Sequence, residues 1–93
     1  CHSINKGGKN KIGPALYNVV GRAVGGVDDY KYSKALASYG KEWTFKELNG
    51  FLTKPSSYLK GTKMSYAGLR KEKDRASVIK YLNQYSDSPK LLP

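Results

Sequence analysis

Apolar residues recur with a helical period in two stretches of this chain. In the first, Phe45, Leu48, Phe51 and Leu52 keep one face apolar until Pro55 stops the run. Thr44-Phe45-Lys46-Glu47 in front of it reads as a capping box, in which the threonine hydroxyl and the glutamate carboxylate each satisfy an otherwise unpaired amide. Trp43 and Leu48 occupy the hydrophobic-staple positions around that start. The second stretch opens with Glu72 and Asp74, acids where the helix dipole favours them. Its apolar face is Val78, Ile79 and Leu82, flanked by Tyr81 and Tyr85, and Ser86-Asp87-Ser88-Pro89 ends it. A shorter helix is expected over Lys34-Ala35-Leu36-Ala37, capped by Ser33 and ended by Gly40. Elsewhere Ser3 to Gly13 is a turn-rich loop, Leu16, Val19 and Val20 form an apolar patch, and Gly21 to Asp29 is a second loop. No strand-like alternation and no repeat appear. The pattern predicts an all-α class, with short helices and long loops in a single domain over 1–93 and an extended tail at 86–93.

Composition makes that prediction demanding. Leu, Ile, Val and Phe together number 19 of 93 residues, and the formal charge is +10. So thin an aliphatic core leaves a small domain marginal. Either the chain is disordered or something outside the polypeptide completes the core, and the careful caps favour a folded chain. Disulfides are excluded by the single cysteine. No apolar run approaches the roughly 20 residues that span a bilayer. The start has no signal-peptide pattern and no Met, so a processed or truncated product is expected. The positive charge points to acidic partners. With eight tyrosines interleaved among lysines, a basic module for single-stranded nucleic acid or anionic membrane stays open at this stage.

Few groups carry candidate chemistry. Gly7-Gly8-Lys9 lacks the spacing of a phosphate loop. Asp28-Asp29 and Glu72 with Asp74 offer no acid–base pairing that compels an enzyme. Cys1, His2 and Met64 are each the sole residue of their type, too few for structural zinc. Taken singly, a terminal Cys and His are ordinarily inert and a lone Met is ordinarily core filler. Together they admit a different reading. A thioether from Cys to a haem vinyl places the next residue's imidazole beneath the iron, and a distant Met can close the opposite position. Such ligation leaves no open site, suits electron transfer and raises the reduction potential. A haem is also a large apolar body, able to fill a thin core.

From Cys1 to Leu82 the chain resembles class I c-type cytochromes of the mitochondrial-like branch. Cys1-His2 is similar to the second half of the Cys-x-x-Cys-His haem-attachment motif. Lys6 to Lys9, Ile12-Gly13-Pro14-Ala15-Leu16 and Gly21-Arg22 follow the family's loop after the proximal His, then come Tyr30-Lys31-Tyr32-Ser33 and Trp43. Pro55 to Gly68 resembles the distal Met loop, and Arg75 to Leu82 the closing helix. The tail from Tyr85 to Pro93 resembles the ending of membrane-anchored cytochromes c of alphaproteobacteria.

The resemblance implies a small cytochrome c fold around one covalent haem c. Cys1 would be the attachment residue, with His2 and Met64 as axial ligands and Pro14 accepting from the second nitrogen of His2. Arg22, Tyr32 and Trp43, with Ser33 and Thr62 as lesser contributors, would neutralise or hydrogen-bond a buried propionate. Leu16, Phe51, Leu52, Tyr66 and Leu82 would line the pocket. Lys9, Lys11, Lys63 and Lys71 would surround the exposed haem edge and dock on acidic faces of redox partners, a quinol–cytochrome c reductase and a cytochrome c oxidase. The implied role is a respiratory electron carrier, not an enzyme. Its implied place is the periplasmic side of a bacterial inner membrane, reached through an N-terminal anchor outside this sequence, with the mitochondrial intermembrane space as the alternative. No nucleic-acid partner is implied, and a peroxidase would require Met64 to be displaced. The family's first cysteine and N-terminal helix are absent, so Val78, Ile79 and Leu82 are expected to lose part of their cover. A monomer is expected, with dimer formation or swapping open to a chain without that helix. Ser56 and Ser57 stand where the family often has lysines, Leu36 where it commonly has Asn and Phe51 where it commonly has Tyr. The last two changes remove polar groups near the Met side and predict a differently tuned potential.

Overall fold

Caps, prolines and glycines divide the chain into four helices, described over residues 1–92 by a computed structural model. They are α1 (Lys34–Ala37), α2 (Phe45–Thr53), α3 (Pro55–Tyr58) and α4 (Glu72–Gln84). Among the described residues there is no strand, only an antiparallel bridge between Ala23 and Glu42. Around it Gly21 N donates to Trp43 O, Trp43 N to Arg22 O and Val24 N to Lys41 O, each at 2.8 Å. That short ladder holds the glycine-bearing loop against the residue preceding the α2 cap. The radius of gyration, 12.4 Å, matches the roughly 12 Å of a compact chain of this length. A disordered chain would be more than twice as wide.

Ser33 caps α1, its Oγ accepting from Leu36 N at 3.3 Å. Thr44 caps α2 in the same way, accepting from Glu47 N at 3.1 Å. The reciprocal half of the expected capping box does not form. Thr44 N instead donates to Glu42 O at 2.9 Å. The Glu47 carboxylate accepts from the hydroxyls of Tyr39 at 2.6 Å and Tyr58 at 3.0 Å. Two phenols on one carboxylate are charge-assisted bonds, stronger than a contact to an amide that already has a carbonyl partner. Pro55 ends the apolar run as expected, but it also begins α3, a helix absent from the sequence reading. At the first helical position its missing N–H costs nothing, and the residue is fully buried.

The core comprises Val19, Val20, Val24, Trp43, Leu48, Phe51, Leu59, Ile79 and Leu82. Trp43 and Phe51 set their rings 5.0 Å apart, and α2 packs on both α3 and α4. Ile79 and Leu82 are buried, contrary to the expectation that they lose cover, because α4 turns them toward α2. Val78 is half-buried and Tyr81 is 47% exposed, its ring 5.1 Å from that of Tyr85.

After α4 the chain bends through residues 85–88 and is docked without further helix or strand through residue 92. Asp87 accepts from Tyr17 Oη at 3.0 Å and from Asn18 Nδ2 at 3.0 Å, and pairs with Lys6 at 3.2 Å. Asp87 N donates to Asn18 Oδ1 at 2.8 Å. Asn83, buried on α4, accepts from Lys90 N and donates to Lys90 O. Of the expected tail, Pro93 lies outside the described residues.

Candidate functional site

The proximal segment is built by backbone zippering. Gly13 N donates to Cys1 O at 2.8 Å and Leu16 N to Ser3 O at 2.9 Å. Buried Ser3 donates to Lys9 O at 2.7 Å, closing the turn-rich loop onto its own start. These bonds lay His2 alongside Gly13 and Pro14. The His2 Nδ1 lies 2.8 Å from Pro14 O; a carbonyl can only accept, so Nδ1 is the donor and Nε2 is the ring nitrogen left for another partner. A Cβ at position 13 would sit 2.6 Å from His2 Nδ1 and collide with Cε1, so a side chain there would displace the imidazole. Cys1 is exposed, with a free thiol.

Met64 comes from the loop between α3 and α4. Leu59 N donates to Pro55 O at 3.0 Å and Thr62 N to Leu59 O at 3.1 Å, so the loop starts from a buried leucine. Thr62 Oγ1 accepts from Met64 N at 3.3 Å, and Lys63 Nζ donates to Lys31 O at 2.9 Å. Met64 is half-buried against the core. The structure gathers Leu16, Trp43, Phe51, Leu52, Met64 and Leu82 into one apolar cluster. Tyr66 stands apart from that cluster, 44% exposed.

The polar candidates divide by what already occupies them. Arg22 Nη1 donates to the carbonyls of Ala15 at 2.8 Å and Tyr17 at 3.3 Å. Its Nε is buried without a partner, the only such side-chain atom among the described residues. Burial pushes the guanidinium below its ordinary value, and Tyr32 nearby acts in the opposite direction. Tyr32 accepts from Val27 N at 3.1 Å, and its ring meets Tyr30 edge-on. Tyr30 in turn donates to Ile12 O at 2.7 Å, which links this loop to the proximal one. The Ser33 oxygen accepts in its cap and that of Thr62 in the Met64 turn, which leaves the O–H of each able to donate to another acceptor.

Sequence reasoning missed several residues that build the site. Gly13 was legible as part of a motif but not as the surface against which the imidazole lies. Asn10 was unmarked, yet its Oδ1 accepts from Ala15 N at 2.8 Å and its Nδ2 donates to Asp29 at 2.9 Å. Arg75 and Asn49, which hold the far end of the Met64 loop, carry no local signal because their partners lie in other elements.

The cofactor implied by the resemblance is a haem c, and the residues present fit one. The sole His offers an Nε2 whose ring is oriented by the Nδ1 bond to Pro14 O, and the sole Met offers a half-buried thioether. Arg22 keeps a buried, unmatched N–H for which a carboxylate is the natural partner. Among the described residues no cluster of three His, Cys, Asp or Glu exists that would hold a bare metal ion instead.

No family model matches the chain, but individual proteins do. It is 47% identical over 94 residues to a cytochrome c homolog of Bradyrhizobium diazoefficiens, covering all of this chain and 51% of that protein. A cytochrome c homolog of Rickettsia typhi is 52% identical over 85 residues, with 91% of this chain and 49% of that protein covered. The chain thus spans about half the length of these curated relatives. The cytochrome c of Theileria parva is 50% identical over 86 residues, with 92% of this chain and 74% of that protein covered. The helical architecture, the His2 and Met64 segments and these identities agree, and the chain belongs to the cytochrome c family, the class I c-type cytochromes, whose prosthetic group is a covalently bound haem c.

Proposed function

We propose that residues 1–93 form one domain that carries single electrons between respiratory complexes. The observation that carries this reading is the His2 imidazole held by Pro14 O at 2.8 Å, together with a half-buried Met64 on a loop tied at both ends. The bound haem supplies a one-electron ferric/ferrous couple. The polypeptide does the rest. Pro14 holds the His2 ring in one orientation through Nδ1, so Nε2 would be the iron donor. Met64 would supply the second iron donor through its thioether, a ligand pair that suits electron transfer and raises the potential. Cys1 would hold the haem through a thioether, its S–H adding across a vinyl group. Arg22, Tyr32 and Trp43 lower the cost of burying a propionate, the guanidinium through its free Nε. Leu16, Phe51, Leu52, Tyr66 and Leu82 would line the pocket and exclude water from the couple.

Lys9, Lys11 and Lys71 are exposed and available for long-range attraction to acidic partners, whereas Lys63 is partly committed to Lys31 O. In our reading the donor is a quinol-oxidising complex and the acceptor a terminal oxidase, on the periplasmic face of an inner membrane. In the same reading an N-terminal anchor and linker lie outside these residues, for which relatives of about twice this length leave room. No helix among the described residues is long and apolar enough to cross a membrane.

Oxidised and reduced visible spectra of the purified protein, with its mass after denaturation, test the proposal. Sharp low-spin reduced bands, a haem-sized mass increment and loss of the thioether-to-ferric band in Met64→Ala are expected. A colourless protein of bare polypeptide mass would overturn it.

A further inference from the structure

The loop that carries Met64 is braced at its return by a side chain that sequence reasoning passed over. Leu69 N donates to Leu52 O at 2.7 Å. Gly68, at φ +107°, brings the backbone so close to Thr53 O that no Cβ fits there. Arg75, in the first turns of α4, completes the brace. Its Nη1 donates to Leu69 O at 2.9 Å and to Arg70 O at 2.8 Å. Its Nε donates to Asn49 Oδ1 on α2 at 2.7 Å. Every acceptor of this guanidinium is a neutral oxygen, so its planar fork, rather than an ion pair, joins three pieces of chain: α4, the end of the Met64 loop and α2.

We infer that Arg75, aimed by Asn49, is a positioning residue for the Met64 thioether: it fixes where the distal loop ends relative to α2 and so keeps the sulfur at its post. The inference rests on the reading of Met64 as the distal ligand. A lysine at 75 would keep the charge, but as a point donor it cannot hold two carbonyls and Asn49 together. Bonds from a charged donor are among the stronger ones, so their loss should register at the ligand and not only in global stability.

The test uses the full-length holoprotein with Arg75→Lys, Arg75→Gln, Asn49→Ala and, as a control for general loosening, Asp87→Asn at the tail clamp. Two quantities are read: imidazole binding, followed by loss of the thioether-to-ferric band, and amide exchange of Leu69. We expect both Arg75 variants to bind imidazole about tenfold more tightly than the parent and to exchange Leu69 faster. Asn49→Ala should move both readouts in the same direction by a smaller factor, which covers the case that the Arg75 variants fail to fold. Asp87→Asn should match the parent in both. Imidazole affinities that follow stability alone, with Asp87→Asn shifted as much as Asn49→Ala, would overturn the positioning role while leaving Met64 as ligand. A parent that lacks the thioether band, or is unchanged by Met64→Ala, would instead remove the ligand reading and the positioning role with it.

Discussion

Position 13 determines whether the imidazole of His2 has room to lie against the backbone that orients it. A Cβ there meets the ring at 2.6 Å or less, whereas at Gly40 a Cβ meets nothing within 4 Å. Gly40 has φ +75°, so alanine at that site costs about 1–2 kcal/mol of backbone strain without touching the site. Gly13→Ala should therefore abolish or sharply reduce haem incorporation, and Gly40→Ala should lower stability with haem content intact. Mass and haem absorbance of the two purified variants check this. Equal haem content in both would show that the His2 ring has another place to go. Arg22 makes the complementary point about charge. Its guanidinium is half-buried on two carbonyls with one N–H unmatched, a costly arrangement for polypeptide alone and a reasonable one beside a buried anion.

At the scale of elements, the start of α2 shows how a local motif is reassigned by its neighbours. Thr44 keeps its capping role, so Thr44→Ala should cost about 1 kcal/mol, read as a shift in the denaturation midpoint. Glu47 serves instead as the acceptor that draws together α2, the chain after α1 and α3. The hydroxyl of Tyr39 first, then that of Tyr58 and the nearby Lys41 and Lys46, hold its carboxyl below the usual range. The bond to Glu47 pushes the Tyr39 phenol up, as burial does for Tyr58. The Glu47 contribution is therefore whole above a carboxylate pKa of about 4.3 and fades as pH falls below it. The Tyr39 contribution is whole below about 10 and fades as pH rises through its elevated value. In Glu47→Ala the tyrosinate absorbance should appear at lower pH than in the parent. An unchanged titration would mean that the phenols are held by something other than this carboxylate.

At the scale of the molecule, the tail closes the chain onto its first loops. Asn18 adopts φ +64°, tolerable for an asparagine that bonds locally. Its amide N–H donates to Tyr85 O at 2.9 Å while its side chain pairs with Asp87. The Asn18 amide first, then Tyr17 and Lys6, hold the Asp87 carboxyl below its ordinary value. A depressed carboxyl stabilises the fold above the unfolded value of about 3.9 and loses that contribution as pH falls further. Asp87→Asn should thus lower the thermal midpoint at neutral pH, and the difference from the parent should shrink toward pH 3. Only the exposed Lys6 part should respond to salt. A difference that persists undiminished at pH 3 would place the clamp's strength outside this ionisation.

What the sequence determined by itself was local or ordered along the chain. The caps at Ser33 and Thr44, the apolar faces of α2 and α4, the absence of strand periodicity and the ordered family motifs all reside in neighbouring residues or in their spacing. The mismatch between thin core and careful caps also pointed to a missing apolar body. Tertiary structure decided the partners of groups with more than one acceptor in reach. Glu47 turned from its own helix end to two phenols, because a charged acceptor gains more from hydroxyl donors than from an amide already paired. Pro55 began a helix as well as ending one, since α3 needs no donor at its first position. Nothing in the sequence marks the partners of Arg75 and Asp87, which are carbonyls, side-chain amides and a phenol 5 to 70 residues away that folding brings within hydrogen-bond distance. Such contacts have no period and no local signature, so only the folded chain reveals them.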